Sequence, residues 1–239
     1  MTVFRPTRFL LSGNPLSSLT VLVEGGYLTA QGYSTTPLRT IIPAISHLLT
    51  TFRSAKYPIY FTREGHRPDL STLSSRELFR SRNNPSGTGI GDPAPDPKFG
   101  RQLIRGCYGH EIIDELTPHI TDQPENREFV IDKPGRSAFA HTELELMLRI
   151  RGVRNLLICG VTTDVCVSST MREANDRGFD CLLVENATAA GEEEGWRGAV
   201  ESVKGEGGIF GTVGRVNDVV RAVEGSVKAG LMEVAITDR

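Results

Sequence analysis

The chain has 239 residues, 38% apolar and 23% charged, with a formal net charge of −2. This is enough for one well-filled α/β domain, and the near-neutral balance excludes the basic field that a nucleic-acid binder needs. No apolar run reaches the roughly 20 residues that cross a bilayer, and the N-terminal MTVFRPTRFLLSGNPL lacks a sustained apolar segment, so neither a membrane partner nor a secretory leader is expected.

In chain order, LTVLV (19–23) is a buried strand by its β-branched, apolar run. From Pro37 to Arg53, apolar residues recur at helical spacing behind a first-turn proline, which predicts one helix. PIYFT (58–62) is a second strand. Residues 63–99 are a long polar segment of Gly, Pro, Ser and Asn, a length more often functional than idle. Within it, Arg76, Arg80 and Arg82 read as a solvated run. His110 to Leu116 predicts a short helix, EFVID (128–132) a third strand, and Thr142 to Arg151 a helix closed by Gly152. NLLICG (155–160), a helix from Thr163 to Arg177, FDCLLVE (179–185), a helix from Glu192 to Lys204, GGIFG (207–211) and a helix from Arg215 to Val223 complete the series. Strands alternating with helices predict a parallel sheet covered on both faces. The simplest division is an N-terminal extension (1–14), one domain (15–224) and a tail (225–239) that frays from Gly225.

Cys107, Cys159, Cys166 and Cys181 form no Cys-x-x-Cys pair, and no histidine stands at ligand spacing from them. A disulfide framework, a metal and a cofactor are therefore not expected, and a reducing, cytoplasmic setting is the default. Cys159 and Cys181 lie inside apolar strands and read as packing. Cys166 follows a strand and a Gly-Val-Thr-Thr-Asp turn, in the first turn of a helix. Unpaired N–H groups and the positive end of the helix dipole favour a thiolate there. Position alone leaves a nucleophile and a merely buried first-turn residue evenly matched; for Thr163, capping the helix is the better reading.

The segment LLICGVTTDVCVSSTMREANDRGFDCLLVENATAA resembles the nucleophilic-cysteine segment of the isochorismatase-like hydrolases. FTREGHRPDL, GTGIGDPAP, LIRGCYGHEIIDEL and VIDKPGRSAF are similar to biuret amidohydrolases within them. The resemblance runs from about Thr20 to Gly211. It implies a three-layer sandwich with a six-stranded parallel sheet, no metal, and a small-molecule amide as substrate. It further implies a homo-oligomer, a dimer or tetramer. It places Cys166 at the nucleophile, Lys133 at the family's lysine, and Val161–Thr162 at a cis peptide that helps aim the N–H groups of Thr162 and Cys166 at the substrate oxygen. An ammonium near a thiol favours the thiolate. Asp132 alternates to the other face of its strand.

The sequence departs from the pattern at the first strand. The family's third member is an aspartate followed by Met-Gln; this chain reads SLTVLVEGGYLTAQGY. Either Glu24 takes the aspartate's place and the following loop is missing, or strand end and loop are both absent; the gap also fits a coding sequence lacking a segment. Arg136, Glu206, Glu64 and His66 are the candidate substrate contacts, with Arg67 read as a surface ion pair. Arg136 and Glu206 stand where the biuret-type relatives have Lys and Gln, which changes the donors and acceptors offered. The resulting expectation is a cysteine-dependent amidohydrolase that releases ammonia from a biuret-like amide, impaired if no carboxylate serves Cys166. The alternative is an inactive relative kept as a binding or scaffold protein.

Overall fold

A computed structural model describes residues 19–24, 36–120 and 127–229. Six parallel strands make one sheet: β1 (Leu19–Glu24), β2 (Ile59–Glu64), β3 (Glu128–Lys133), β4 (Asn155–Val161), β5 (Asp180–Ala189) and β6 (Thr212–Gly214), in spatial order β3-β2-β1-β4-β5-β6. The first two crossovers leave β1 toward one edge and the later ones build toward the other, so the order in which strands are added reverses at the β1/β4 pair. In open parallel sheets, ligands collect beyond the carboxyl ends of the strands at such a point.

Helices α1 (Thr36–Arg39), α2 (Ile42–Ser54), α3 (Ser75–Ser81), α4 (Leu144–Ile150), α5 (Ser168–Asp176), α6 (Glu193–Lys204) and α7 (Val216–Lys228) accompany the sheet. One face packs Val21, Val23, Phe61, Leu157 and Val184 against the apolar stripes of α2 (Ile45, Leu48, Phe52) and α7 (Val216, Val219, Val223). The other packs Leu22, Tyr60, Ile131, Ile158 and Leu183 against Leu144 and Leu148 of α4, Met171 and Ala174 of α5, and Val200 and Val203 of α6. Central strand β4 is buried at every position, as a strand covered on both sides must be. The three-layer α/β sandwich read from the sequence is the fold.

Several elements differ from the expectation. The predicted helix from Pro37 is two helices: Pro43 lacks the N–H that a continuous helix needs and sits instead in the first turn of α2. The predicted helix at His110–Leu116 is a pair of 3₁₀ turns, Tyr108–His110 and Asp114–Leu116, enough to bury Ile113 and Leu116 without an α nucleus. The last helix runs on past Gly225 to Lys228.

The long segment after β2 carries α3 and a set of turns; it starts with Gly65 N donating to the carbonyl of Lys133 on β3 at 2.9 Å and is held together by internal bonds. His66 N donates to the carbonyl of Leu103 at 2.8 Å, and Arg105 N to the carbonyl of His66 at 3.0 Å. The sequence Ser74-Ser75-Arg76-Glu77 is a capping-box pattern, and Glu77 N donates to Ser74 Oγ at 3.1 Å.

The sixth strand is not at 207–211 but at Thr212–Gly214, because Gly207, Gly208 and Gly211 all take positive φ and turn the chain. At Gly211 φ is +120°, and an added Cβ would lie 2.3 Å from the backbone carbonyl oxygen of Cys181. Both the conformation and the contact resist any side chain. Gly211→Ala is expected to destabilise the protein by about 2 kcal/mol or more, read as a fall of roughly 5 °C in Tm by calorimetry.

Candidate active site

Strand parity determines which side chains meet at the carboxyl rim. Tyr60 and Ile131 face the layer of α4, α5 and α6, so Glu64, four residues beyond Tyr60, and Lys133, two beyond Ile131, end on that same face. They are direct register partners in the β2/β3 pairing. Glu64 is 2% exposed and Lys133 1%. The Lys133 Nζ donates to the carbonyl oxygens of Arg136 at 2.6 Å and Gly135 at 3.2 Å, so the Pro-turned loop after β3 folds back over its own lysine. Asp132 points the other way, beside Arg63 and 3.6 Å from His110 Nε2.

Cys166 reaches this spot from β4. Gly160, with φ +103°, lies at the β4 bulge against β5, and the peptide Val161–Thr162 is cis. The chain then makes a π turn, in which Thr162 O accepts from Val165 N at 3.2 Å and from Val167 N at 3.1 Å, before α5 begins at Ser168. The thiol thus sits in a wide turn ahead of the helix rather than in its first α turn. Thr163 does not cap it: its hydroxyl is buried without a partner, and no side chain caps the turn.

The Cys166 thiol, 4% exposed, donates to Glu64 Oε2 at 3.6 Å. The other oxygen, Oε1, accepts from Arg136 Nη1 at 2.8 Å, and the same nitrogen reaches Glu77 Oε1 on α3 at 3.1 Å. Burial pushes the Glu64 carboxyl above its ordinary value of 4.5, while Arg136, Lys133 and the thiol hydrogen bond hold it back. The packing thiol Cys181 is different in kind: burial, with Asp180 beside it, pushes it up to about 12, which leaves it inert.

A cavity of about 840 Å³ opens beside this cluster, lined by Thr72, Glu77 and Arg80 from the long segment after β2 and by Gly135, Arg136 and His141 from the loop after β3. Arg80, read as a solvated residue, therefore borders the cavity. Arg136 belongs to its wall and also touches Glu64. His66 does not line it: fully buried, its Nδ1 is 3.2 Å from the hydroxyl of Thr72, which does. Burial lowers the His66 pKa, followed in size by a raising effect of Glu77 and a lowering one of Arg136. Glu206 is exposed in a left-handed turn after α6 and is not part of the cavity wall. Arg67 makes an exposed ion pair with Asp69 at 3.5 Å. The side chain of Glu24 lies outside the described residues; its backbone ends β1, level with Thr62 and Gly160.

The sequence reading assigned Glu64 only to substrate contact because it ended the strand at Thr62. Two more residues of the same alternation, TRE, carry the chain to a carboxylate on the inner face. Glu77 and α3 were missed outright, although the capping box marks them.

This fold and site define an α/β protein that brings a thiol, a carboxylate and a lysine together at the rim of a parallel sheet. Residues 23–217 match the Isochorismatase domain, and the chain belongs to that family. It is 30% identical over 200 residues to the ureidoacrylate amidohydrolase RutB of Azorhizobium caulinodans, covering 83% of each chain. In fold it resembles a cysteine hydrolase from Pseudomonas syringae pv. phaseolicola (TM-score 0.70, 23% identity, 89% of this chain and 95% of the other). It also resembles N-carbamoylsarcosine amidase from Thermoplasma acidophilum (TM-score 0.59, 23% identity, 83% and 95%). Among the described residues no helix is long and apolar enough to cross a membrane.

A carboxyl whose folded pKa is raised favours the folded state below its ordinary range and loses that advantage as pH climbs through the folded pKa. Glu64→Gln removes this dependence. Its stability relative to wild type is expected to rise as pH increases from about 4.5 upward, whatever constant offset the lost Arg136 contact adds. Denaturant unfolding of both proteins across that range checks it; a difference that stays flat or falls is the contrary result.

Proposed function

We propose that the protein is a cysteine-dependent amidohydrolase that cleaves a C–N bond of a small ureido-type amide and releases ammonia. The observation that carries this reading is a buried thiol hydrogen-bonded to a buried carboxylate, with Lys133 as that carboxylate's register partner. A thiol beside a carboxylate that can take its proton, with an ammonium close by to stabilise the resulting anion, is set up to act as a nucleophile, and a purely structural thiol gains nothing from this. The relationship to a ureidoacrylate amidohydrolase supports the ureido class, and the biuret-type motifs point the same way.

In this reading the Cys166 sulfur attacks the amide carbonyl carbon, the C=O electron pair moves onto oxygen, and the N–H groups of Thr162 and Cys166 hold the oxyanion. Collapse expels the amine, which takes up a proton and leaves as ammonia. Water then attacks the acyl carbon and the sulfur departs. Lys133 stabilises the negative charge passed between sulfur and carboxylate. The cavity bordered by Thr72, Arg80, Arg136 and His141 receives the rest of the substrate, and its two arginines suit an acidic or carbonyl-rich tail.

Ammonia release from biuret, ureidoacrylate and N-carbamoyl amino acids tests the reading. Wild type is expected to turn over at least one of them, and Cys166→Ser to lose at least about a thousandfold in kcat. Equal rates in the two proteins remove the thiol from the chemistry. A wild type without turnover, whose Cys166 alkylates at an ordinary rate, identifies a binding protein instead.

A further inference from the structure

We infer that Glu64, at the end of the second strand, is the catalytic residue that takes the Cys166 proton and delivers it to the leaving nitrogen. This deepens the proposed amidohydrolase reading and rests on it. Three observations converge. Glu64 Oε2 is the acceptor of the thiol hydrogen bond at 3.6 Å. Its Oε1 is engaged by Arg136 at 2.8 Å, so the carboxylate is held in one orientation with the second oxygen toward sulfur. It is almost wholly buried and faces the same layer as Cys166 because it shares strand parity with Tyr60.

The proton balance closes on this one group. The S–H bond breaks, its proton moves to Oε2, and the sulfur electron pair forms the S–C bond. When the C–N bond breaks, the nitrogen takes the proton from Oε2 and leaves as ammonia, and Glu64 is again a carboxylate. The incoming water gives a proton to Oε2 as its oxygen bonds to the acyl carbon, and the departing sulfur recovers that proton. No other reactant is required. Burial raises the carboxyl pKa toward that of a thiol, the direction that eases transfer both ways. Arg136 and Glu77 act through Glu64: Arg136 positions the carboxylate, and Glu77 ties Arg136 to α3.

The experiment follows kcat, KM and the pH dependence of Cys166 alkylation by iodoacetamide in wild type, Glu64→Gln, Glu64→Asp, Glu24→Gln and Cys166→Ser. A proton carrier and a structural anchor differ in signature. Glu64→Gln is expected to lose about a hundredfold or more in kcat with KM within a few-fold. Alkylation should persist with its midpoint moved to lower pH, because a negative neighbour of the thiolate is gone. Glu64→Asp is expected to recover part of kcat. If Glu64→Gln keeps kcat within threefold, or Glu64→Asp is no better than Glu64→Gln, the inference is overturned. It is likewise overturned if Glu24→Gln, and not Glu64→Gln, gives the kcat loss with the lowered midpoint. In each of these cases a dead Cys166→Ser leaves the amidohydrolase reading standing. A fully active Cys166→Ser removes both.

Discussion

The site depends on one pairing: Glu64 and Lys133 are register partners at the carboxyl ends of neighbouring parallel strands. Opposite residues in a parallel pair point to the same face, so this register delivers a carboxylate and an ammonium side by side. Each ion alone would be prohibitive in a dry interior, because the desolvation of an unpaired charge exceeds what a few packing contacts return. Together, and with two loop carbonyls on the lysine and Arg136 on the glutamate, they are tolerated at 1–2% exposure. Burial strips away water and so strengthens their effect on the adjacent thiol. A slip of one residue in β2 would turn Glu64 into the opposite layer and bring Arg63 to the rim, which reverses the charge beside Cys166.

Much of this was legible in the sequence because it follows from local patterns. Continuous apolar strands separated by helical periods allow few alternatives to a covered parallel sheet, and the turn Gly160–Asp164 marks where β4 reaches its rim. Cys159 and Cys181 sit within apolar runs and are packed where such runs place them. What failed locally failed for stated reasons. Pro43 was absorbed into a helix whose hydrogen-bond chain it breaks, and the glycines at 207, 208 and 211 mimic a strand by composition while their positive φ forbids one.

The role of Glu64 was harder to see because it needs two facts that no window of sequence contains. One is that β2 continues past Thr62; the other is that β2 lies beside β3 rather than beside β4. Without the strand order, Glu64 is one charge among several in TREGHRP. Chain position points instead to Glu24, which holds the aspartate's place in one of the two alignments of the first strand. Chemistry requires a carboxylate at a point in space, and two adjacent strand ends can supply it.

The segment from Gly65 to Leu116 then acquires a physical purpose. It is joined to the sheet where Gly65 N donates to the carbonyl of Lys133 at 2.9 Å, is held together internally by the bonds of His66 to Leu103, Arg105 and Thr72, and carries α3 with Glu77. Arg136 stands between Glu77 on that segment and Glu64 on the sheet. A guanidinium shared by two carboxylates binds each less firmly than it would bind one alone, since its donors are divided and the two anions repel. Glu64 is thus held in orientation yet spared the full stabilisation of its charge that a private bidentate arginine would give. A carboxylate clamped in that stronger way would have its pKa driven down, and would be a poor recipient for a thiol proton. Burial is the main cause that keeps the Glu64 carboxyl basic; Glu77, by taking a share of Arg136 and adding its own negative charge, works in the same direction to a smaller extent, while the geometry stays fixed and the cavity wall is joined to the group behind it.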